Sequence, residues 1–207
     1  ADEVVTGFGR TGELFGSETL VLAPHHVTMA KGITSGYFPL SAVALGHDLY
    51  AALEDGSERL GVLAHAGTFA AHPVGAAAAL KTIEIIERDG LVAHARAMGE
   101  RLAAGLARLA GHPLVGDVRS LGLAACLDFL RRDADDRVCN DAAEVDAVLA
   151  AVYEALLARG VVARPAGRSL VLAPPLIVSA DEVDEICARL ALALDDVAAT
   201  RRSGGSA

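Results

Sequence analysis

A chain of 207 residues with 53% apolar composition is long enough to bury a sizeable core, and its formal net charge of -9 argues against nucleic acid or an anionic membrane as a partner. No run of 18 apolar residues and no signal-peptide pattern occurs, so neither membrane insertion nor export is indicated and a cytoplasmic location is expected. Cys126, Cys139 and Cys187 show no CxxC or other metal-ligand spacing and read as reduced thiols, so no metal is expected.

The chain opens on Ala-Asp-Glu-Val-Val-Thr-Gly-Phe-Gly-Arg-Thr-Gly, residues 1–12, which reads as the end of a strand running into a glycine loop. Residue 1 is Ala rather than an initiator Met, so the expectation is the C-terminal part of a longer protein. Gly7, Gly9 and Gly12 satisfy G-x-G-x-x-G, but residues 13–24 have no amphipathic helical period and residues 30–35 hold no acid. A dinucleotide site needs both, so the glycines are assigned to a loop.

The apolar runs 27–30 and 41–45 read as strands of a parallel sheet, and Lys31 follows the first of them. A lysine that forms a Schiff base must attack as the neutral amine, which calls for desolvation or nearby positive charge. Val27, Met29 and Ala30 suggest an apolar strand end, and Gly32 would let a cofactor come close. Asp2 lies 29 residues earlier, a separation that lets two parallel strands bring both side chains to the carboxyl edge of one sheet. A lysine and a carboxylate that keeps a pyridine nitrogen protonated are the two groups pyridoxal phosphate chemistry requires. Taken singly, a surface lysine and a turn-capping aspartate are the commoner readings; the pairing favours the cofactor.

Further along, Thr68 stands between Gly67 and Phe69, ahead of a helix that His72-Pro73 starts and that runs to about Arg88. A hydroxyl there suits an anion, although a turn or cap threonine is the simpler reading. His65 and His72 are expected to be structural. Leu91, Ala95, Met98, Leu102, Leu106 and Leu109 recur at helical spacing and read as core. Residues 121–129 are strand-like, and Asp141 with Glu144 forms a capping-box start for a helix ending near Gly160. Residues 161–163 and 170–173 read as short strands stopped by Pro174-Pro175. Ser179 with Glu182 starts a last helix carrying Val183, Ile186, Leu190 and Leu194 on one face. The expected architecture is α/β: residues 1–90 as the end of a large parallel-sheet cofactor domain, 91–203 as a smaller α+β domain, and 204–207 as a tail.

Four ordered blocks, residues 1–12, Met-Ala-Lys-Gly-Ile-Thr-Ser-Gly-Tyr-Phe-Pro-Leu-Ser-Ala-Val from 29, His-Ala-Gly-Thr-Phe-Ala-Ala-His-Pro at 65–73 and Ala-Pro-Pro-Leu-Ile-Val at 173–178, closely resemble the class III aminotransferases of fold type I. The resemblance implies pyridoxal 5'-phosphate as cofactor, with Asp2 on its pyridine nitrogen, Val4 against one ring face and the internal aldimine on Lys31. Thr68 would bind the phosphate of the neighbouring subunit's cofactor, which implies a homodimer or larger homo-oligomer. Arg164 falls where ω-amino-acid and amine transaminases of the family place a mobile, carboxylate-binding arginine; Arg168 is close enough to be that contact instead. Val171 replaces the arginine of ornithine-type members, and His25 replaces a usual aspartate. The expected activity moves an amino group from an ω-amino acid or amine to a keto acid such as pyruvate. A diaminopelargonate-type enzyme, suggested by Arg-Pro-x-Gly-Arg at 164–168, and a non-catalytic remnant are the alternatives. The resemblance also implies that the phosphate cup lies upstream, so the chain made alone is expected to be inactive.

Overall fold

A computed structural model describes residues 1–63, 65, 67–129 and 141–204. Its backbone divides into two compact units, Ala1–Ala93 and His94–Ala207.

In the first unit, α1 (Gly16–Thr19) is a single turn, and β1 (Val27–Met29) pairs antiparallel with β2 (Ala42–Ala44), with Val27 opposite Ala44. This differs from the parallel pairing expected of the runs 27–30 and 41–45. Residues 30–41 hold no α-helix that could carry a parallel crossover. The chain reverses instead through the 3-10 turn Lys31–Thr34 and Ser35, whose φ is 51°. The parallel contact in this unit is made by Asp2, whose backbone bridges Thr28.

α2 (His47–Leu60) has no sequence-level expectation behind it: it runs unbroken through Gly56 but buries none of its residues, so no core stripe marks it. α3 (Pro73–Arg88) starts as expected. Proline at its first turn needs no N–H partner, and His72 caps it by accepting from Val74 N–H at 3.3 Å. The same imidazole stacks on Phe38 at 5.2 Å, a packing role, while His65 is exposed. Phe8, Ile33, Ala79 and Ile86 form this unit's buried core.

The second unit holds an antiparallel sheet of order β3-β4-β6-β5. Its strands are β3 (Asp117–Leu121), β4 (Ala124–Asp128), β5 (Arg164–Ala166) and β6 (Ser169–Leu172). The single strand expected over 121–129 is thus the hairpin β3-β4, in which Leu121 pairs with Ala124 around Gly122 at φ 56°. The strand expected at 161–163 lies three residues later. Val161 and Ala163 are buried approach residues, and the paired segment carries Pro165, which an edge strand tolerates.

Three helices complete this unit: the body of α4 (Leu91–Ala107), α5 (Ala142–Ala158) and α6 (Ala180–Gly204). Leu102, Leu106, Val152, Leu156, Val183, Leu190 and Leu194 are wholly buried and share one core with Leu127 and Leu170 of the sheet. Ser179 and Glu182 form the expected reciprocal cap, with Ser179 N–H to Glu182 at 2.8 Å and Glu182 N–H to the Ser179 hydroxyl at 3.3 Å. The expected box at Asp141 does not form: Asp141 caps α5 without a side-chain bond, and Glu144 instead accepts from Arg201 at 3.0 Å. α6 continues through Gly204, so the expected tail is helical at its start; residues 205–207 and Cys139 lie outside the described residues. Among the described residues no helix is long and apolar enough to cross a membrane.

Gly99 sets how closely α4 meets the hairpin, since a Cβ there would come within 2.5 Å of the Gly122 carbonyl carbon. Gly99→Ala raises helix propensity by about 1 kcal/mol, yet it forces backbone apart, an overpacking that costs about 1–3 kcal/mol. The expected outcome is a lower thermal midpoint. A stabilised Gly99→Ala protein would show that the hairpin yields freely.

Candidate functional site

Residues 1–3 run beside β1 as a parallel strand end: Glu3 N–H donates to Thr28 carbonyl at 2.9 Å and Thr28 N–H to Ala1 carbonyl at 3.0 Å. Successive side chains of an extended segment point to opposite sides. Asp2 accordingly faces solvent and Glu3 faces inward, 2% exposed.

The Glu3 carboxylate is the group that sequence reasoning missed. It accepts Gly16 N–H at 2.8 Å and Ser17 N–H at 2.6 Å, and the Thr6 hydroxyl donates to it as well. Burial alone pushes its pKa up, but the bonds from the Ser17 and Thr6 side chains and from the Ser17 and Gly16 backbone outweigh this and bring it to about 2. The carboxylate thereby clamps the start of α1 onto the strand end. Two glycines permit the approach: a Cβ on Gly7 would lie 2.8 Å from Glu3 carbonyl oxygen, and one on Gly16 would lie 2.7 Å from Thr6 Cβ. The fingerprint-like glycines therefore belong to a packed loop, as expected of them. One signal was available: of two adjacent acids in a strand, alternation sends one inward.

Asp2 is held by its own loop. Its carboxylate accepts Val4 N–H at 3.0 Å, and the Thr28 hydroxyl lies 3.5 Å away. Val4 is half-buried. Lys31 follows Ala30, which is fully extended at φ -160°, and itself adopts φ 42°. A non-glycine residue in that region carries strain of about 1–3 kcal/mol, and such strain concentrates at functional sites. The side chain is exposed rather than desolvated, and among the described residues it forms no ion pair. Lys81, by contrast, is held by Glu84 at 2.6 Å. The expectation for Gly32 also changes. A Cβ there would meet Phe8 Cβ at 3.0 Å, so its missing side chain accommodates Phe8 of the loop rather than an approaching cofactor.

Thr68 is exposed in the turn closed by Ala70 N–H to Gly67 carbonyl at 2.9 Å, ahead of the α3 N-terminus. In the second unit, Arg164 is exposed on edge strand β5, directly opposite Val171. Arg168 is tied to Asp146 at 3.4 Å. Among the described residues no cluster of His, Cys, Asp and Glu could hold a metal ion.

The fold is of the α/β class, and comparison supplies the family. The model for "Aminotransferase class-III" matches residues 1–194, and the chain belongs to that family. An uncharacterized aminotransferase of Sinorhizobium fredii is 43% identical over 91% of this chain and 40% of its own length. The diaminobutyrate–2-oxoglutarate transaminase of Halomonas elongata is 43% identical over 95% of this chain and 42% of its own. Among solved structures, a transaminase with L-ala is 38% identical with a TM-score of 0.90, covering 97% of this chain and 46% of that one. The omega transaminase of Pseudomonas jessenii in complex with PMP is 35% identical with a TM-score of 0.89, covering 100% of this chain and 45% of that one. The chain spans about two fifths of the length of these two curated relatives.

The Glu3 clamp has a pH signature. Its carboxyl titrates at about 2 in the folded protein against an ordinary 4.5, so its contribution is complete above pH 4.5 and is lost as pH falls toward 2. That difference corresponds to roughly 3 kcal/mol. Glu3→Gln offers one acceptor oxygen and turns an amide toward the remaining donors, so stability at pH 7 should fall by about that amount and its dependence between pH 4.5 and 2 should flatten. Equilibrium unfolding of both proteins across this range checks it, and parallel curves would remove Glu3 from the account.

Proposed function

We propose that this chain is part of a pyridoxal 5'-phosphate-dependent transaminase that moves an amino group from an ω-amino acid or amine to a keto acid such as pyruvate. The observation carrying the reading is Lys31: an exposed, backbone-strained lysine three residues beyond the point where β1 is bridged by Asp2.

Pyridoxal phosphate, when bound, supplies an aldehyde and a ring able to accept electrons from a substrate carbon. The residues of this chain do the rest. The Lys31 amine would hold the cofactor's aldehyde and, when free, would move the substrate proton at Nζ. Asp2, kept in place by Val4 N–H, holds a proton on the ring nitrogen. Val4 covers one ring face. Thr68 donates its hydroxyl to the phosphate of a neighbouring copy's cofactor, which makes the enzyme a homodimer or a larger assembly; its exposure beside a helix N-terminus supports this role. Arg164 takes the carboxylate of an acid substrate by a charge-assisted fork. Relatives named for diaminobutyrate and gamma-aminobutyrate support an ω-amino acid as donor, and a cytoplasmic setting is part of the same reading.

Borohydride reduction of the cofactor-loaded enzyme is expected to fix the label on Lys31, and peptide mapping reads it directly. Label on Lys81, the only other lysine in the chain, would overturn the assignment. Asp2→Asn is expected to retain cofactor while slowing the half-reactions with donor and acceptor, because a neutral amide does not hold the ring proton. Unchanged stopped-flow rates would take Asp2 out of the chemistry.

A further inference from the structure

Alternation in β4 and β6 sends Ala125, Leu127, Leu170 and Leu172 into the core and leaves Cys126, Asp128, Ser169 and Val171 half-buried on the outer face. The strand register extends these into two rows across the sheet. One row runs Arg119, Cys126, Val171, Arg164; the next runs Asp117, Asp128, Ser169, Ala166. The first row has a cation at each end and no charge between them, and the acids of the second row sit only on β3 and β4.

This layout treats the two terminal arginines differently. Arg119 is held by Asp117 at 3.4 Å and Asp128 at 3.5 Å. Arg168, at the β5-β6 turn, is held by Asp146. Arg164 forms no ion pair among the described residues, because the aspartates of the sheet stand two strands away or more, roughly 10 Å at the usual strand spacing. Directly opposed residues on antiparallel strands bring their Cβ atoms within about 5 Å, so position 171 is the nearest seat on this face from which a carboxylate would capture Arg164. Valine fills it.

We propose that Val171 is a specificity-determining residue: as the cross-strand neighbour of Arg164 it withholds an internal carboxylate and so leaves the guanidinium open to the carboxylate of an acid substrate. The proposal rests on the reading of Arg164 as that contact. Val171 touches no reacting atom; it acts through Arg164.

The test is a double-substitution cycle in the active transaminase containing this chain, with Val171→Glu, Arg164→Ala, both together, and Val171→Gln as the neutral control. kcat and KM are measured for a keto acid and for a simple amine, and thermal unfolding is followed in parallel. Val171→Glu should lower keto-acid kcat/KM about two- to fivefold, the size of one cross-strand ion pair, chiefly through KM, and should spare the amine. Val171→Gln should resemble the parent. The effect should shrink in the Arg164→Ala background, and unfolding should show favourable coupling between Arg164 and the introduced carboxylate. A loss of equal size with and without Arg164, or an equal loss from Val171→Gln, would overturn the proposal. If Arg164→Ala spares keto acids, the reading of Arg164 fails and the proposal with it. If Arg164→Ala impairs keto acids and Val171→Glu does not, only the proposal fails. Should Val171→Glu not fold, Val171→Asp takes its place in the same cycle.

Discussion

The first unit is organised around one buried anion. A carboxylate taken out of water is costly unless donors replace its hydration, and Glu3 obtains them by drawing the chain back on itself until Gly16 and Ser17 present their N–H groups. The intervening loop must then pack tightly, which explains the bare α-carbons at Gly7 and Gly16 and the left-handed Phe8 at φ 63°. Phe8 in turn fills the space beside Gly32, and Lys31 is the residue before it. A single buried charge is thus connected, through the loop it closes and the Phe8–Gly32 contact, to the lysine. By strand alternation, it also turns Asp2 to the opposite side.

Strain is distributed unevenly between the units. Among the described residues the non-glycine residues with positive φ are Phe8, Val21, Lys31, Ser35 and Ala71, and all belong to the first unit. In the second unit that conformation falls to glycines such as Gly122, Gly160 and Gly167, at a hairpin turn, a helix end and a second hairpin turn. Helices and sheet there share one apolar core, and local preference agrees with tertiary structure. Of these departures from local preference, Lys31 is the residue for which chemistry is proposed, as where a fold gives up local comfort for a site.

What the sequence made legible follows the same division. The stripe from Leu91 to Leu109, the Pro73 start and the Ser179–Glu182 cap were readable because each rests on interactions within a few residues. Where the outcome was decided at longer range, reading failed. Glu144 prefers Arg201 to its capping role, the hairpin at Gly122 divides one apolar run in two, and α2 offers no buried stripe to detect. The adjacency of Asp2 and the lysine strand was readable from spacing, and the parallel bridge to Thr28 realises it. The Glu3 clamp was not, since its donors lie 13 and 14 residues away in a segment without helical periodicity.

The central claim is that the Glu3 carboxylate fixes the geometry of the Asp2–Lys31 strand end as well as its own loop. Amide hydrogen exchange in Glu3→Gln tests it most directly, read at Gly16 and Ser17, which donate to Glu3, and at Thr28, whose N–H donates to Ala1 beside Asp2. Accelerated exchange at all three amides is the predicted result. Loss of protection at Gly16 and Ser17 with Thr28 unchanged would contradict the account, because the clamp would then end at the loop it closes.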